Sequence, residues 1–183
     1  MKDIELNDMY KDVFPFWDGL SEEDRAYICS TTQYLRYDKS KNIHNGNKCT
    51  GAFVVKSGCL RVYIMSDDGR EVTLYRLYSG DMCMLSASCV IQAITFDVFV
   101  DAEENTECLL INASVYNSIC EKYTDMKIYT LELAVSRFSD VMWTMQQILF
   151  FSFDKRLAIF LYEELIKNGP IIRYSHMEIA KYL

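Results

Sequence analysis

The sequence predicts an α+β protein: a jelly roll of short strands with flanking short helices, then a long helix and further helical segments. Three observations carry that prediction. Glycines at 51, 58, 69 and 80 punctuate a β-textured region at spacings of 7, 11 and 11, as turns between short strands do in sandwiches and jelly rolls. Inside it, "CLRVYIMSDDGREVTLYRL" (59–77) has the alternation and turn of a hairpin. After "AEENTECLLINAS" (102–114) the pattern changes from a period of two to a period near 3.5.

Taken in order, "FPFWDGLSEEDRAYICS" (14–30) predicts a turn followed by a short helix. Ser21 caps it, and Glu22, Glu23 and Asp24 fill the first turn, where negative charge suits the helix dipole. Strands follow from about 31 to 111. Leu60, Val62 and Ile64 alternate with Arg61, Tyr63 and Met65; Asp68-Gly69 turns the chain; Val72 and Leu74 then alternate with Thr73 and Tyr75. Ser114 is a candidate cap for a short helix over 115–122. Residues 125–151 form the longest helical run. Leu131, Ala134 or Val135, Phe138, Val141 or Met142, Met145, and Ile148 or Leu149 recur there at alternating steps of three and four. That stripe is close to a coiled-coil seam, and it can pack on the β domain, on a second copy, or on both. A helix over 154–167 stops at Gly169-Pro170, and "SHMEIAKYL" opens with the capping-box pair Ser175 and Glu178.

A net charge of −7 and an isoelectric point near 4.9 exclude the chain as a whole from polyanion binding. Seven cysteines, odd in number and without repeated spacing, do not form a secreted disulfide framework. Asp3, Glu5, Asp8 and Asp12 rule out a signal peptide, and no apolar run reaches membrane-spanning length. The expectation is a reduced, cytoplasmic protein with no membrane association.

The order of these features, with "SGCLRVYIMSDDGREVTLYRLYSGD" (57–81), "RLAIFL" (156–161) and "HMEIAKYL" (176–183), resembles the CRP/FNR family of bacterial transcription regulators over about residues 14–183. The resemblance implies a cyclic-nucleotide-binding-like, double-stranded β-roll that senses an effector, here with the N-terminal helix in residues 1–112. It implies a short helix and a homodimerisation helix in 113–152, and the start of a winged helix-turn-helix in 153–183. Ser175 and His176 fall in the first helix of that DNA-binding motif. The family reads the major groove with the following recognition helix. The sequence stops at Leu183 before it, so DNA is an expected partner of the complete protein but not, specifically, of these residues. RNA polymerase is a further partner the family implies.

In the family's cyclic-nucleotide sensors a Gly-Glu turn binds the ribose and an Arg-Ser/Thr pair holds the cyclic phosphate. Gly80-Asp81 takes the place of the turn here, and Phe96-Asp97 that of the pair, at a longer spacing. A buried phosphate needs a cation or converging donors, and there is no Lys or Arg from 77 to 121. Val141 and Met142 stand where those sensors place base-contacting hydroxyls. The expected effector is therefore a small molecule other than a cyclic nucleotide. Its candidate site is Gly80, Asp81, Met82, Cys83, Ser86, Phe96 and Asp97, closed by Val141 and Met142. Phe99, Trp143 and Met145 are either further lining or plain core. Arg137 either reaches that pocket or pairs in solvent with Glu132 or Asp140, the second being the more economical reading.

The cysteines, at 29, 49, 59, 83, 89, 108 and 120, contain no C-x2-C pair and lack the clustered thiolates of an iron–sulfur regulator. His44, in the polar loop "KNIHNGN", reads as a solvated turn residue, and His176 as a surface residue, so no metal set and no resident cofactor are expected. Cys83 and Cys89 are small buried apolar residues or, alternatively, a redox pair. The rival readings are a ligand-independent regulator with a vestigial pocket and a thiol, haem or metal sensor of redox state or gas. An enzyme on a cupin-like roll would gather histidines around a metal, and two separated histidines do not.

Overall fold

In the computed structural model, which describes residues 3–45, 51–83 and 97–183, the β-textured region folds into two four-stranded antiparallel sheets. One has the order β1 (Gln33–Tyr37), β8 (Thr106–Ile111), β3 (Ala52–Ser57), β6 (Met82–Cys83). The other has the order β2 (Asn42–Asn45), β7 (Phe99–Ala102), β4 (Leu60–Met65), β5 (Glu71–Leu77). Helices α1 (Asp3–Val13) and α2 (Glu22–Thr31) precede the roll, and α3 (Ala113–Lys122), α4 (Thr124–Phe150), α5 (Phe153–Asn168) and α6 (His176–Ala180) follow it.

Strands β3 and β8 are continuous apolar runs because the first sheet is buried on both faces. Phe53, Val55, Cys108 and Leu110 point into the roll, where they meet Leu60, Val62, Leu77 and Val100 of the second sheet. Ala52, Val54, Leu109 and Ile111 point the other way, against Tyr10, Phe14 and Trp17 and against Tyr116, Ile119 and Met126. Alternation along a strand thus feeds two separate cores. Full burial of each large side chain there contributes about 1.5–3 kcal/mol.

Helix α1 was not anticipated. Between its acidic residues Leu6, Tyr10 and Val13 recur at steps of four and three and face the helical core. Ser21 caps α2 as expected, accepting from the Asp24 amide at 3.2 Å. Asp24 then ties α2 to α3: Lys122, Ser21 and Tyr123 all bond its carboxylate and hold its pKa down at about 2. The cap of α3 is Asn112 rather than Ser114, its side chain accepting from the Ser114 amide at 3.0 Å, so the helix starts two residues early. His44 is buried in β2 beside Val100, not solvated, because the polar loop continues as a strand.

The β4–β5 hairpin turns at Gly69 (φ +80°), with Ser66 and Arg70 bonded across it at 2.9 Å. A bulge between Val62 and Tyr63 breaks strict alternation and buries both. No helix among the described residues is long and apolar enough to cross a membrane.

Two glycine positions separate conformational strain from crowding. At Gly69 (φ +80°) a Cβ would meet nothing within 4 Å, whereas at Gly58 (φ +90°) it would fall 2.6 Å from Thr106 Oγ1 and 2.7 Å from Asn105 O. Gly69→Ala is expected to cost about 1 kcal/mol and Gly58→Ala about 3 kcal/mol, compared by urea unfolding at one protein concentration. Equal costs would show that the Gly58 turn yields freely.

Candidate effector site

Of the nine residues predicted to surround an effector, the seven described ones are not brought into one pocket. Ser86 and Phe96, like Cys89, lie outside the described residues. Gly80 (φ +89°) sits exposed in the turn between β5 and β6, beside Met9 and Val13 of α1. Met82 and Cys83 are both buried but on opposite faces of β6, Met82 against the N-terminal helices and Cys83 inside the roll. Asp97 is exposed. Val141 packs on the roll interior. Met142, one residue on, is rotated by about 100° around α4 and is exposed. Of the set, Asp81, Cys83 and Val141 remain on the side of the roll that faces α4.

Arg137 makes that side polar. Its guanidinium reaches Asp81 at 3.3 Å and Asp140 at 2.9 Å and lies 5.1 Å from the centre of the Tyr75 ring. Burial alone would lower its pKa; the Asp140 hydrogen bond and the charge of Asp81 more than offset this and raise it. The expected pairing with Asp140 therefore exists, but not in solvent: the Arg137 side chain is only 15% exposed. Asp81 is held by a second bond, accepting from the Tyr78 amide at 2.8 Å. Tyr75, buried among Leu74, Cys83 and Val141, has its phenol pushed well above the ordinary value by desolvation and by the neighbouring thiol. Thr144 donates to the Leu74 carbonyl at 2.9 Å and fixes α4 against β5.

The outer face of the second sheet is covered by the C-terminal helices. Arg76 pairs with Glu164 of α5 and lies 3.8 Å from Glu103. Glu164 is 1% exposed and also accepts from Asn168 at 2.7 Å. Burial works against the charge on Arg76, but Tyr78, Glu164 and Glu103 together hold its guanidinium above the ordinary value. The carboxyl of Glu103 is raised by burial and bonded by the Tyr182 hydroxyl. Arg61 pairs with Glu71 and, at 3.2 Å, with Asp101, while Lys181 meets Glu71 at 3.1 Å. The Lys181 carbonyl accepts from both the amide and the hydroxyl of Thr73, at 3.0 and 2.8 Å. None of these cross-contacts was foreseen, although Arg61 and Arg76 at outward strand positions were visible in sequence.

Ser175 is the N-cap of α6 and forms the predicted capping box with Glu178. Its hydroxyl is engaged within that box, and His176 beside it is exposed. Three of the described cysteines are held in the thiol form by burial. Burial pushes Cys108 up to about 12, with Cys83 adding to it, and raises Cys59 and Cys120 as well. No group of three potential metal ligands occurs among the described residues.

A roll with eight strands among the described residues, joined through a long half-exposed helix to trailing helices, defines the class: sensor rolls of transcription regulators. The description "Cyclic nucleotide-binding domain" matches residues 42–123, from β2 through α3. The fold superposes with a TM-score of 0.89 on a transcriptional regulator of the Crp/Fnr family from Eubacterium rectale. The two are 44% identical, over 93% of this chain and 80% of that one. The chain belongs to the Crp/Fnr family of transcription regulators. The fold also matches the c-di-GMP responsive regulator CLP of Xanthomonas campestris (TM-score 0.70, 15% identity, 88% of this chain and 84% of that). A CooA variant from Carboxydothermus hydrogenoformans gives a TM-score of 0.61 at 22% identity, over 84% and 70% of the two chains. Curated protein sequences return no match.

The Arg76–Glu164 pair gives a direct test of how the C-terminal helices are held. Removing one partner of a buried pair costs about 3–5 kcal/mol. Glu164→Gln is expected to raise hydrogen exchange across 153–183 while leaving β3 and β8 protected. Unchanged exchange in α5 and α6 would show that other contacts carry the docking.

Proposed function

We propose that this chain is the sensor and dimerisation part of a homodimeric, cytoplasmic, DNA-binding regulator that is not an enzyme. In this reading 1–112 senses, 113–152 dimerises and 153–183 begins the DNA-binding domain, so that Ser175 and His176 lie at its first helix. The observation that carries it is the outer face of α4. Ile128, Leu131, Val135, Phe138, Met142, Met145 and Leu149 recur at steps of 3, 4, 3, 4, 3, 4 and are 44–68% exposed. The opposite face meets the roll and the helices packed on it through Met126, Leu133, Arg137, Val141 and Thr144, with Thr130 bonded to Tyr116 of α3. A seam of period 3.5 in water over the whole helix is the pattern of a two-stranded coiled coil. A second copy of the chain is the partner it fits, since each copy presents the same stripe.

The effector in this reading is not a cyclic nucleotide. The roll interior facing α4 is occupied by Tyr75, Cys83, Leu74 and Val141, and Arg137, the cation nearest to them, is taken by Asp81 and Asp140. A cyclic phosphate entering there would have to displace those carboxylates. Repositioning of α4 and of α5–α6 is how an effector signal reaches DNA, by favouring one of two arrangements.

Sedimentation of the purified chain is expected to give twice 21.4 kDa. Phe138→Glu is expected to weaken association by roughly 100-fold while leaving the circular dichroism of the roll unchanged. A monomeric parent would sink the dimer reading. Calorimetry with cyclic AMP and cyclic GMP is expected to show no binding at micromolar concentration, and saturation there would overturn the effector reading.

A further inference from the structure

Helix α4 carries five charged side chains: Asp125, Lys127, Glu132, Arg137 and Asp140. Asp125 lies in the first turn, where a negative charge suits the helix dipole. Arg137 and Asp140 pair with each other at 2.9 Å, beside Asp81. Lys127 and Glu132 are placed differently. Both are exposed, and no ion pair joins either of them to another described residue. The positions three and four residues away from each, in both directions, hold no charge. A solvated lysine or glutamate on a helix needs no partner. What distinguishes these two is where they fall relative to the apolar stripe.

Steps of three and four put Ile128, Val135, Met142 and Leu149 at position a of a heptad and Leu131, Phe138 and Met145 at position d. Lys127 then stands at g and Glu132 at e, the positions that border the seam on its two sides. The other border positions, Ala134, Val141 and Ile148 at g and Ser139 and Gln146 at e, are uncharged. In a parallel, in-register pair of helices each g residue meets the e residue of the partner's next heptad. Glu132 stands at that place relative to Lys127, five residues on. Two-fold symmetry makes the contact twice, once on each border. In an antiparallel pair covering the same stripe, g borders meet g and e borders meet e. Lys127 would then lie against the partner's Ile148 and Glu132 against the partner's Gln146, so neither charge would meet its opposite.

We propose that Lys127 and the partner's Glu132 form a reciprocal ion pair across this seam, and that the pair selects a second copy of the chain, aligned in parallel, over the reversed orientation and over other apolar helices. The proposal rests on the dimer reading above and names the residues that decide orientation and partner choice. The apolar stripe supplies most of the affinity, because exposed ion pairs are individually weak. Charges at the border act on choice instead: an alignment that brings like charges together, or leaves both unmatched, is disfavoured although its apolar contact is the same. With the other border positions uncharged, that choice is made at the N-terminal end of α4, next to α3.

Charge reversal at the two exposed positions tests this without touching the core. The full chain carrying Lys127→Glu and the full chain carrying Glu132→Lys would be purified separately and followed by sedimentation at low salt, one of them fluorescently labelled. Each alone is expected to dimerise about tenfold more weakly than the parent, because both borders then oppose like charges. An equimolar mixture is expected to form a mixed dimer within about threefold of the parent dissociation constant, since both borders pair opposite charges again. The double variant K127E/E132K is expected to self-associate like the parent for the same reason. At 1 M salt, where the screening length falls to about 3 Å, the tenfold loss is expected to shrink. Two results overturn the proposal: single variants that dimerise as tightly as the parent, or a mixture that associates no better than either variant alone. The parent keeps the two levels apart. A dimer indifferent to both reversals removes the ion pair and leaves the regulator reading standing, whereas a monomeric parent removes that reading and this proposal with it.

Discussion

Helix α4 sets the terms for the rest of the molecule, because its sequence carries two apolar stripes and the roll can bury only one. Met126, Leu133 and Val141 lie on the roll, with Thr130 and Thr144 bonded along the same line. The other stripe, from Ile128 to Leu149, has no covering element among the described residues. Water contact along six turns of apolar helix is a free-energy cost that folding the single chain does not remove. Any covering of that stripe fixes the direction of α4, and α4 in turn fixes where α5 begins, since only Phe151 and Ser152 separate them. The Arg137 fork locks the helix at one more point. Asp81 comes from the turn after β5 and Asp140 from α4 itself, so rotating α4 by one residue would break the first contact and keep the second.

The C-terminal helices are held on the roll in a different way. Their contact is polar, with Arg76, Arg61, Glu71, Glu103, Glu164 and Lys181 meeting around the outer face of β4 and β5. Such clusters give little net stability over an apolar contact of the same shape, because desolvation offsets much of the Coulomb gain. They are exacting about geometry, however. Charges that are satisfied in one arrangement are left unpaired in a slightly displaced one, whereas an apolar face slides at small cost. The roll interior, by contrast, is closed by apolar packing that tolerates no such rearrangement. A rigid core beside a polar, geometry-dependent contact is the distribution expected of a protein in which one part moves against another.

How far the sequence disclosed this follows from the range of each interaction. The hairpin, the Ser21 cap, the Ser175 capping box and the long helix rest on neighbours within a few residues, and each was legible. The cap of α3 slipped from Ser114 to Asn112 because both residue types cap well and only the chain's approach to Ala113 decides. Helix α1 was obscured by its acids, and His44 by the polar residues around it, since burial of a strand depends on what the second sheet does. The described members of the effector set divide for a rotational reason. Val141 and Met142 are adjacent in sequence and about 100° apart on a helix, so Val141 packs on the roll while Met142 is exposed. In β6 the same holds for Met82 and Cys83, which face opposite sides. Glu164 was missed because it acts through Arg76, 88 residues away, whereas Arg137 was noticed but its second partner, Asp81, lies 56 residues away and was not.

That distribution bears on how a bound molecule would matter to DNA. A ligand enclosed wholly in the roll interior touches one rigid body, and it shifts the position of α5 only by deforming apolar packing that resists deformation. A ligand whose contacts are divided between β5, α4 and α5 has an affinity that depends directly on where α5 stands. Differential affinity for two arrangements is the sole thermodynamic source of coupling, so the divided site needs no intermediate chain of residues to carry the signal. The polar contact around Arg76 would make two such arrangements discrete rather than graded, since Glu164 is either paired or stranded.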